Sequence, residues 1–220
     1  MNTLIISGGD IDDVFASAWI QANTYDRMMA VDKGMEFFYR NGFEPDVIVG
    51  DFDSVSTECL EYYRGCVNTE IITLNPIKDD TDTEFAIRKA IRDGATHITL
   101  LGATGTRLDH VMGNIQLLGI PFEGTGNAHE VEIELLDAHN RVRLMDHSFG
   151  IRKETQFGRY VSLIPFTPQV KGLTLEGFRY PLQNATLKSF TSLGISNEIE
   201  GEVAKVKFDE GILLIIESTD

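Results

Sequence analysis

Short apolar runs and helical stretches alternate along residues 1–127. Each apolar run has the length of a strand and is followed closely by turn or acidic residues. The predicted strands are Leu4–Ile6, Met28–Val31, Val47–Val49, Ile71–Leu74 and His97–Leu101. Helices are predicted up to about residue 23 and at residues 35–40, 82–92 and 108–118. This alternation predicts βαβ units around a parallel sheet, in which ligands bind beyond the carboxyl ends of the strands.

In the second half of the chain, apolar and polar residues alternate with a period of two. Val131, Ile133 and Leu135 alternate with glutamates, which is typical of a strand that buries one face. Further strands are predicted at Arg141–Met145, Tyr160–Ile164, Leu173–Leu175, Val203–Phe208 and Ile212–Ile216, the last two joined by the hairpin turn Asp209-Glu210-Gly211. This half predicts an antiparallel sandwich or barrel. The glycine-rich segment Pro121–Ala128 is the predicted join, so we expect domains at residues 1–127 and 128–220.

Composition excludes several classes of function. The 220 residues include 34 acidic and 19 basic ones, a net charge of −15, and most of the excess lies in residues 1–127. Such a chain repels phosphate, so no nucleic-acid partner is expected. No apolar run approaches the roughly 20 residues of a membrane span, and the first residues do not resemble a signal peptide. We therefore expect no membrane association and a cytoplasmic protein, with Cys59 and Cys66 as reduced thiols.

Acidic residues follow two of the predicted strands. Asp51 and Asp53 come directly after a buried-type strand, and their spacing lets both carboxylates face one side if the chain stays extended. Asp79 and Asp82 follow the next strand, in a segment that also carries a Thr-x-x-Glu capping box. Solvated loops and helix caps would explain either group alone. Two acidic groups at one edge of a sheet favour a site for Mg²⁺, which binds carboxylate and phosphate oxygens.

A glycine-rich turn follows the strand His97–Leu101. It runs from Gly102 to His110 and contains Arg107 and Asp109. Backbone amides in such a turn, and at the start of the next helix, can receive phosphate oxygens, and Arg107 adds a cationic fork. The turn is not a Walker A loop, because no Gly-Lys-Ser/Thr follows. Together with the acidic groups, it predicts phosphoryl chemistry in which positioning does most of the catalysis.

These segments resemble the thiamine pyrophosphokinase family. The matching segments follow one another along nearly the whole chain: AVDKG (30–34), PDVIVGDFDS (45–54), KDDTDTE (78–84), GATGTRLDHVMGN (102–114) and SLGISNE (192–198). The PD-x-x-x-GD-x-DS and R-x-DH patterns are specific in combination. The resemblance implies transfer of pyrophosphate from ATP to the hydroxyethyl group of thiamine, with release of AMP.

The resemblance also implies a fold, an assembly and a set of site residues. The fold would be an α/β catalytic domain followed by a thiamine-binding β-sandwich, in a homodimer with sites at the subunit interface. The implied residues are Asp51, Asp53 and Asp82 for Mg²⁺, Arg107 and Asp109 for phosphate and transfer, Asp32 and Gly50 on the nucleotide side, and Asp79, Ser196 and Asn197 for thiamine. The thiamine hydroxyl would attack the β-phosphorus in line, and Asp82 or Asp109 would accept its proton.

The sequence departs from the family pattern at two positions. Thr106 stands where the family often has a second glycine, which restricts the turn. Lys33 stands where many members have glycine, and it either adds a contact to ATP or is neutral. Neither change removes a carboxylate from the implied site.

Three other functions fit parts of the sequence. The segment from Asp51 to Val55 mimics the D-x-D-x-[TV] motif of haloacid-dehalogenase-like phosphatases, with Asp51 as nucleophile. That motif follows the third strand here, and no late acidic pair completes it. A pyrophosphokinase for another hydroxyalkyl heterocycle, such as a pterin, would share the catalytic half, whereas Ser196 and Asn197 favour thiamine. A non-enzymatic sensor of thiamine or nucleotide would not need all the carboxylates.

Overall fold

The computed structural model describes residues 1–53, 55–75, 79–123 and 131–220. Its contacts divide the chain into two compact units, Met1–Ala138 and His139–Asp220. The predicted boundary between residues 127 and 128 lies outside the described residues, as do most of the predicted join, Ser54 and Lys78. The predicted domain limits therefore stay a prediction.

The first unit alternates strands and helices, as predicted. Its strands are β1 (Asn2–Ile6), β2 (Arg27–Val31), β3 (Val47–Gly50), β4 (Glu70–Thr73), β5 (His97–Leu101) and β6 (Glu132–Leu136). Its described α-helices are α1 (Asp13–Ala22), α2 (Gly34–Asn41), α3 (Thr57–Arg64), α4 (Asp82–Arg92) and α5 (Leu108–Leu117), and a short 3-10 helix covers Ile120–Phe122. Across the four described stretches of the chain, no helix is long and apolar enough to span a membrane.

Helix α3 is not predicted from the sequence, although its start carries a local signal. The Ser56 hydroxyl caps it by accepting a hydrogen bond from the Cys59 N–H at 3.4 Å. Cys59 and Tyr63 lie one turn apart and are both buried. Because the residues around them are polar, this short apolar face does not stand out in the sequence. Cys59 and Cys66 are free thiols, as expected.

The strands of the first unit pair in parallel, in the order β6-β5-β1-β2-β3-β4. Leu4, Ile5 and Ile6 are all fully buried although successive residues face opposite sides, so both faces of the sheet are covered. The chain moves from β1 outward to β4 and returns to β5 on the other side of β1. The carboxyl ends of β1 and β5 therefore flank the point where the strand order reverses, which is where ligands bind in such sheets.

Strand β6 has the predicted alternation but a different partner. It pairs in parallel with β5, with Ile98 opposite Ile133, and belongs to the first unit. The prediction that placed Glu130–Leu136 in the antiparallel half is therefore wrong. An alternating pattern reports that one face of a strand is buried, and it carries no information on which strand lies alongside.

The second unit consists of strands and one short 3-10 helix at Lys153–Thr155. The strands are β7 (Asn140–Met145), β8 (Phe149–Arg152), β9 (Tyr160–Pro165), β10 (Gln169–Glu176), β11 (Leu182–Lys188), β12 (Asn197–Glu198), β13 (Val203–Lys207) and β14 (Leu213–Ser218). They form antiparallel sheets in the orders β12-β9-β14-β7 and β11-β10-β13-β8. Buried side chains of both sheets, such as Leu163 and Ile215 from one and Leu173 and Val206 from the other, share one core. Of the two predicted architectures, this unit is a sandwich.

The predicted hairpin between the last two strands is wrong. Strand β13 pairs with β8 and β10, whereas β14 pairs with β7 and β9, so the two strands lie in different sheets. The connecting Gly211 has a φ of +107°, and the N–H of Lys171 on β10 donates to the Glu210 carbonyl at 3.0 Å. Because Val206 and Ile215 both have to reach the shared core, the chain crosses between sheets at this turn.

Candidate active site

A cavity of about 1050 Å³ lies at the carboxyl ends of the strands of the first unit. Its walls come from the segments after β1, β2, β3 and β5, from the first turn of α4 and from α5 along its length. Five of the residues implied by the family resemblance line it, namely Asp32, Asp51, Asp82, Arg107 and Asp109. Residues far apart in the chain therefore meet at the edge where a parallel sheet binds its ligand.

Three carboxylates come together in this cavity. Asp32 follows β2, Asp51 follows β3, and Asp82 begins α4. One carboxylate oxygen of each lies within 4.8 Å of the other two. All three residues are half-buried, so solvent screens their mutual repulsion only in part. The set offers hard oxygen ligands from three elements of the fold, which fits a Mg²⁺ ion.

The start of α4 places Asp82 at this cluster. The Thr81 hydroxyl caps the helix by accepting a hydrogen bond from the Glu84 N–H at 3.2 Å, as the capping pattern predicts. The buried hydroxyls of Ser7 and Thr83 share a hydrogen bond of 2.7 Å, which ties the first turn of α4 to the end of β1. The position also stabilises the Asp82 carboxylate, because the N-terminus of a helix carries partial positive charge.

Asp53 does not join the three carboxylates in the described structure. Phe52 has a φ of +62°, so the chain is not extended between Asp51 and Asp53, and the condition for a shared face fails. Asp53 is exposed, and its N–H donates to Oδ1 of Asp51 at 3.1 Å. The backbone of Asp53 thus helps to orient Asp51.

Gly50 makes room for Asp32. A Cβ atom at Gly50 would lie 2.1 Å from Oδ1 of Asp32 and 3.2 Å from the ring of Phe52. Asp32 has a φ of +47°, a conformation that aspartate tolerates better than most residues, and its N–H donates to the Val49 carbonyl at 2.9 Å. The absence of a side chain at Gly50 therefore lets the Asp32 carboxylate lie directly over β3.

We expect Gly50→Ala to destabilise the protein by about 1–3 kcal/mol, because the added methyl group displaces the Asp32 carboxylate. In an Asp32→Ala background the collision is gone, so the same change should cost at least about 1 kcal/mol less. Urea unfolding of the two single variants and the double variant measures this coupling. Gly113→Ala is a matched control, because a Cβ there would meet no atom of the described residues within 4 Å outside its own helix backbone. Equal destabilisation by Gly50→Ala in both backgrounds would show that Asp32 is not what Gly50 accommodates.

The turns after β1 and β5 interlock. The Gly9 N–H donates to the Gly102 carbonyl at 2.7 Å, and the Asp10 N–H donates to the Thr104 carbonyl at 3.0 Å. A Cβ at Gly9 would lie 2.4 Å from the Thr104 oxygen, and Gly102 has a φ of +62°, so both positions require glycine. Gly8 and Gly9 line the cavity, a role that is not predicted from the sequence. The sequence does carry a signal for this role. Glycine follows an apolar strand at Gly8 and Gly9, just as Gly102 follows the strand β5.

Arg107 and Asp109 form an ion pair at the start of α5. Nε of Arg107 donates to Oδ1 of Asp109 at 3.2 Å, and a second hydrogen bond joins Nη2 to Oδ2. Both side chains are about two-thirds exposed, at 68% and 65%. Hydrogen bonds from Arg107 lower the pKa of Asp109, and the same bonds raise the pKa of Arg107. The cavity wall therefore carries a permanently charged guanidinium beside an ionised carboxylate.

The residues implied for thiamine are not among the described residues that line this cavity. Asp79 is exposed just before α4, where its neighbour Asp80 lines the cavity. Ser196 and Asn197 belong to the second unit. Ser196 is exposed with a φ of +55°, and its N–H donates to the Ser162 hydroxyl at 3.0 Å.

The side chain of Asn197 is engaged within the protein. It is 3% exposed, donates to the Tyr180 carbonyl at 2.9 Å and accepts from the Tyr180 N–H at 3.0 Å. Its Oδ1 also accepts from the Glu198 N–H at 3.0 Å. Asn197 therefore shapes the segment that presents Ser196.

The chain matches two family profiles along its length. The profile described as thiamin pyrophosphokinase, catalytic domain, matches residues 17–126, and the profile described as thiamin pyrophosphokinase, vitamin B1 binding domain, matches residues 146–213. The thiamine pyrophosphokinase of Bacillus subtilis (strain 168) is 32% identical over 224 residues, which cover 100% of both chains.

Solved structures give the same result. A crystal structure of thiamine pyrophosphokinase from Bacillus subtilis superposes with a TM-score of 0.87 at 31% identity, covering 100% of both chains. One from Geobacillus thermodenitrificans superposes with a TM-score of 0.83 at 31% identity, covering 100% of this chain and 98% of the other. These matches confirm the resemblance seen in the motifs and give no support to the phosphatase or pterin alternatives. This chain therefore belongs to the thiamine pyrophosphokinase family.

Proposed function

We propose that this chain transfers pyrophosphate from ATP to the hydroxyl group of thiamine, producing thiamine diphosphate and AMP. The observation that carries the proposal is the meeting of Asp32, Asp51 and Asp82 in a cavity that Arg107 and two glycine turns also line. Carboxylates alone would make a cation site. Adding the guanidinium of Arg107 supplies a group of the opposite sign, and a complex of a metal ion with a polyphosphate needs groups of both signs.

The carboxylate cluster fits Mg²⁺, and Asp32, Asp51 and Asp82 are the residues that would hold it. When bound, Mg²⁺ would neutralise phosphate oxygens and so help the transferred group accept a nucleophile. For Asp53, which the family resemblance includes in the metal set, we propose instead the orienting role that its hydrogen bond to Asp51 supports.

The transfer forms a bond between the thiamine hydroxyl oxygen and the β-phosphorus, and breaks the bond from that phosphorus to the oxygen it shares with the α-phosphorus. The hydroxyl proton passes to Asp82 or Asp109, the two acceptors that the family resemblance implies. AMP leaves with that shared oxygen. Arg107 holds phosphate oxygens and balances the charge on the leaving group. Asp109 is a weak proton acceptor, because Arg107 lowers its pKa.

The acidic cavity also suits the second substrate. Thiamine carries a permanent positive charge on its thiazolium ring, and aspartates along the cavity attract it. Asp79, Ser196 and Asn197 stay predictions for thiamine binding, and the homodimer stays a prediction as well. The cytoplasmic location also stays a prediction.

An assay with ATP, Mg²⁺ and thiamine that separates AMP from ADP tests the proposed function. We expect AMP and thiamine diphosphate to appear in equal amounts, and neither to form without thiamine. Release of ADP would mean transfer of a single phosphoryl group and would contradict the proposal. Turnover with a hydroxymethylpterin instead of thiamine would favour the pterin alternative, and tight binding of thiamine or ATP without turnover would favour a sensor.

A further inference from the structure

We infer that Lys33 binds the polyphosphate of ATP, a role that rests on the proposed function. Lys33 connects β2 to α2 and lines the same cavity as the carboxylate cluster. It directly follows Asp32, one of the three clustered carboxylates. A cation at this position therefore shares its cavity with the proposed metal site.

The backbone around Lys33 is held in place by close packing. A Cβ at Gly34 would lie 2.0 Å from the Ile6 carbonyl oxygen, so α2 begins in direct contact with the end of β1. A Cβ at Gly8 would lie 3.4 Å from the Lys33 nitrogen and 3.5 Å from its Cβ. The side chain of Lys33 thus starts beside the glycine turn after β1, and it is exposed.

The charges of the cavity leave Lys33 available. Its described acidic lining residues are Asp10, Asp32, Asp51, Asp80, Asp82, Glu84 and Asp109, and its described lysines and arginines are Lys33 and Arg107. Arg107 is engaged by Asp109. Within residues 1–53, 55–75, 79–123 and 131–220, Lys33 has no ion-pair partner, so its ammonium group is free to meet an incoming anion.

A polyphosphate in this cavity requires such a cation. ATP carries about four negative charges near neutral pH, and a single Mg²⁺ ion offsets two of them. The remaining charge would face an excess of carboxylates, which repel it. Lys33 compensates this charge on the wall formed by the β1 turn, and Arg107 does so at the start of α5. The same ammonium group repels the thiazolium cation, so it favours the phosphates over thiamine on its side of the cavity.

Nucleotide binding without turnover tests the role of Lys33. Calorimetric titrations with Mg²⁺ present and thiamine omitted would compare ATP, ADP and AMP on the wild type, Lys33→Met, Lys33→Arg and Lys153→Met. Lys153 is an exposed lysine of the second unit and is not among the described residues that line the cavity, so its replacement makes the same change in net charge outside the lining. We expect Lys33→Met to weaken ATP binding by about ten- to a hundredfold, as for loss of a charged hydrogen bond, and AMP binding by less than about threefold. Lys33→Arg should stay within about fivefold of the wild type for ATP, because the charge is kept.

The results separate this inference from the proposed function. If Lys33→Met binds ATP as tightly as the wild type, or loses ATP and AMP affinity equally, Lys33 does not bind the polyphosphate. A loss of the same size in Lys153→Met would mean that net charge alone sets the affinity, which also contradicts the inference. Failure of the wild type to release AMP in the thiamine assay would contradict the proposed function, whichever result the titrations give.

Discussion

Replacing Asp32 with asparagine should lower kcat/KM for ATP by about a thousandfold, because loss of one metal-holding carboxylate removes several kcal/mol of charge stabilisation. Asparagine keeps the size of the side chain, so the packing over Gly50 is preserved. Asp53→Asn is the matched control: it makes the same chemical change at a neighbouring exposed site outside the cluster. We expect Asp53→Asn to lose about tenfold or less, since its backbone N–H still donates to Asp51. Steady-state release of AMP measures kcat/KM for both variants.

Thermal stability gives an independent readout of the same change. In the metal-free protein, Asp32→Asn relieves repulsion among three carboxylates, so its Tm should equal or exceed that of the wild type. Mg²⁺ should raise the Tm of the wild type and of Asp53→Asn but have little effect on Asp32→Asn, because a ligand stabilises only the form that binds it. If Asp53→Asn loses more activity and more of the stabilisation by Mg²⁺ than Asp32→Asn does, the result would instead favour the metal set that the resemblance implies. That set is Asp51, Asp53 and Asp82.

Replacing Arg107 with methionine should lower kcat by about a hundredfold or more, the usual loss when one preorganised donor to a developing charge is removed. The Arg107–Asp109 pair is largely exposed, so the free energy of unfolding should stay close to that of the wild type. Single-turnover measurements would check the expected fall in rate, and urea unfolding would check that the stability is unchanged. Arg152→Met is the control, since Arg152 is an exposed arginine of the second unit paired with Glu154. A fall in stability matching the fall in rate would mean that Arg107 acts through the fold.

The role of Asp109 can be separated from that of Arg107 by pH. Arg107 lowers the pKa of Asp109 below its ordinary value of 3.8, so the carboxylate stays ionised as the pH falls until that lower value is reached. Any acid limb of kcat/KM between about pH 5 and pH 8 must then come from another group, and Asp109→Asn should retain it. Disappearance of the limb in this variant would identify Asp109 as the proton acceptor.

The elements that the sequence predicted well are those set by neighbouring residues. Helix α4 begins after the Thr81 cap and runs from Asp82 to Arg92, as predicted. Helix α2 ends at Asn41 and is capped by Gly42, which has a φ of +68°. Caps and left-handed glycines act over a few residues, so the pattern of the chain contains the information needed to find them.

The errors concern contacts between distant segments. Strand β6 joins β5 instead of the antiparallel half, and β14 leaves β13 for another sheet. In both cases the strand itself is predicted, and its partner is not. Pairing depends on which segments bury their apolar faces together, and that choice involves residues far apart in the sequence.

The residues of the site divide in the same way, into local features that the sequence predicts and contacts between distant segments that it does not. By itself, the sequence determined which groups are available: aspartates after adjacent parallel strands, a glycine turn with Arg107, and motifs specific enough to identify the family. Only the tertiary structure decided which aspartates meet. The left-handed turn at Phe52 separates Asp53 from the cluster, and the parallel pairing of β2 with β3 brings in Asp32, whose carboxylate fits over Gly50. The physical reason is that spacing along a chain predicts a shared face only while the backbone stays regular, whereas a metal site depends on distances between side chains across the sheet.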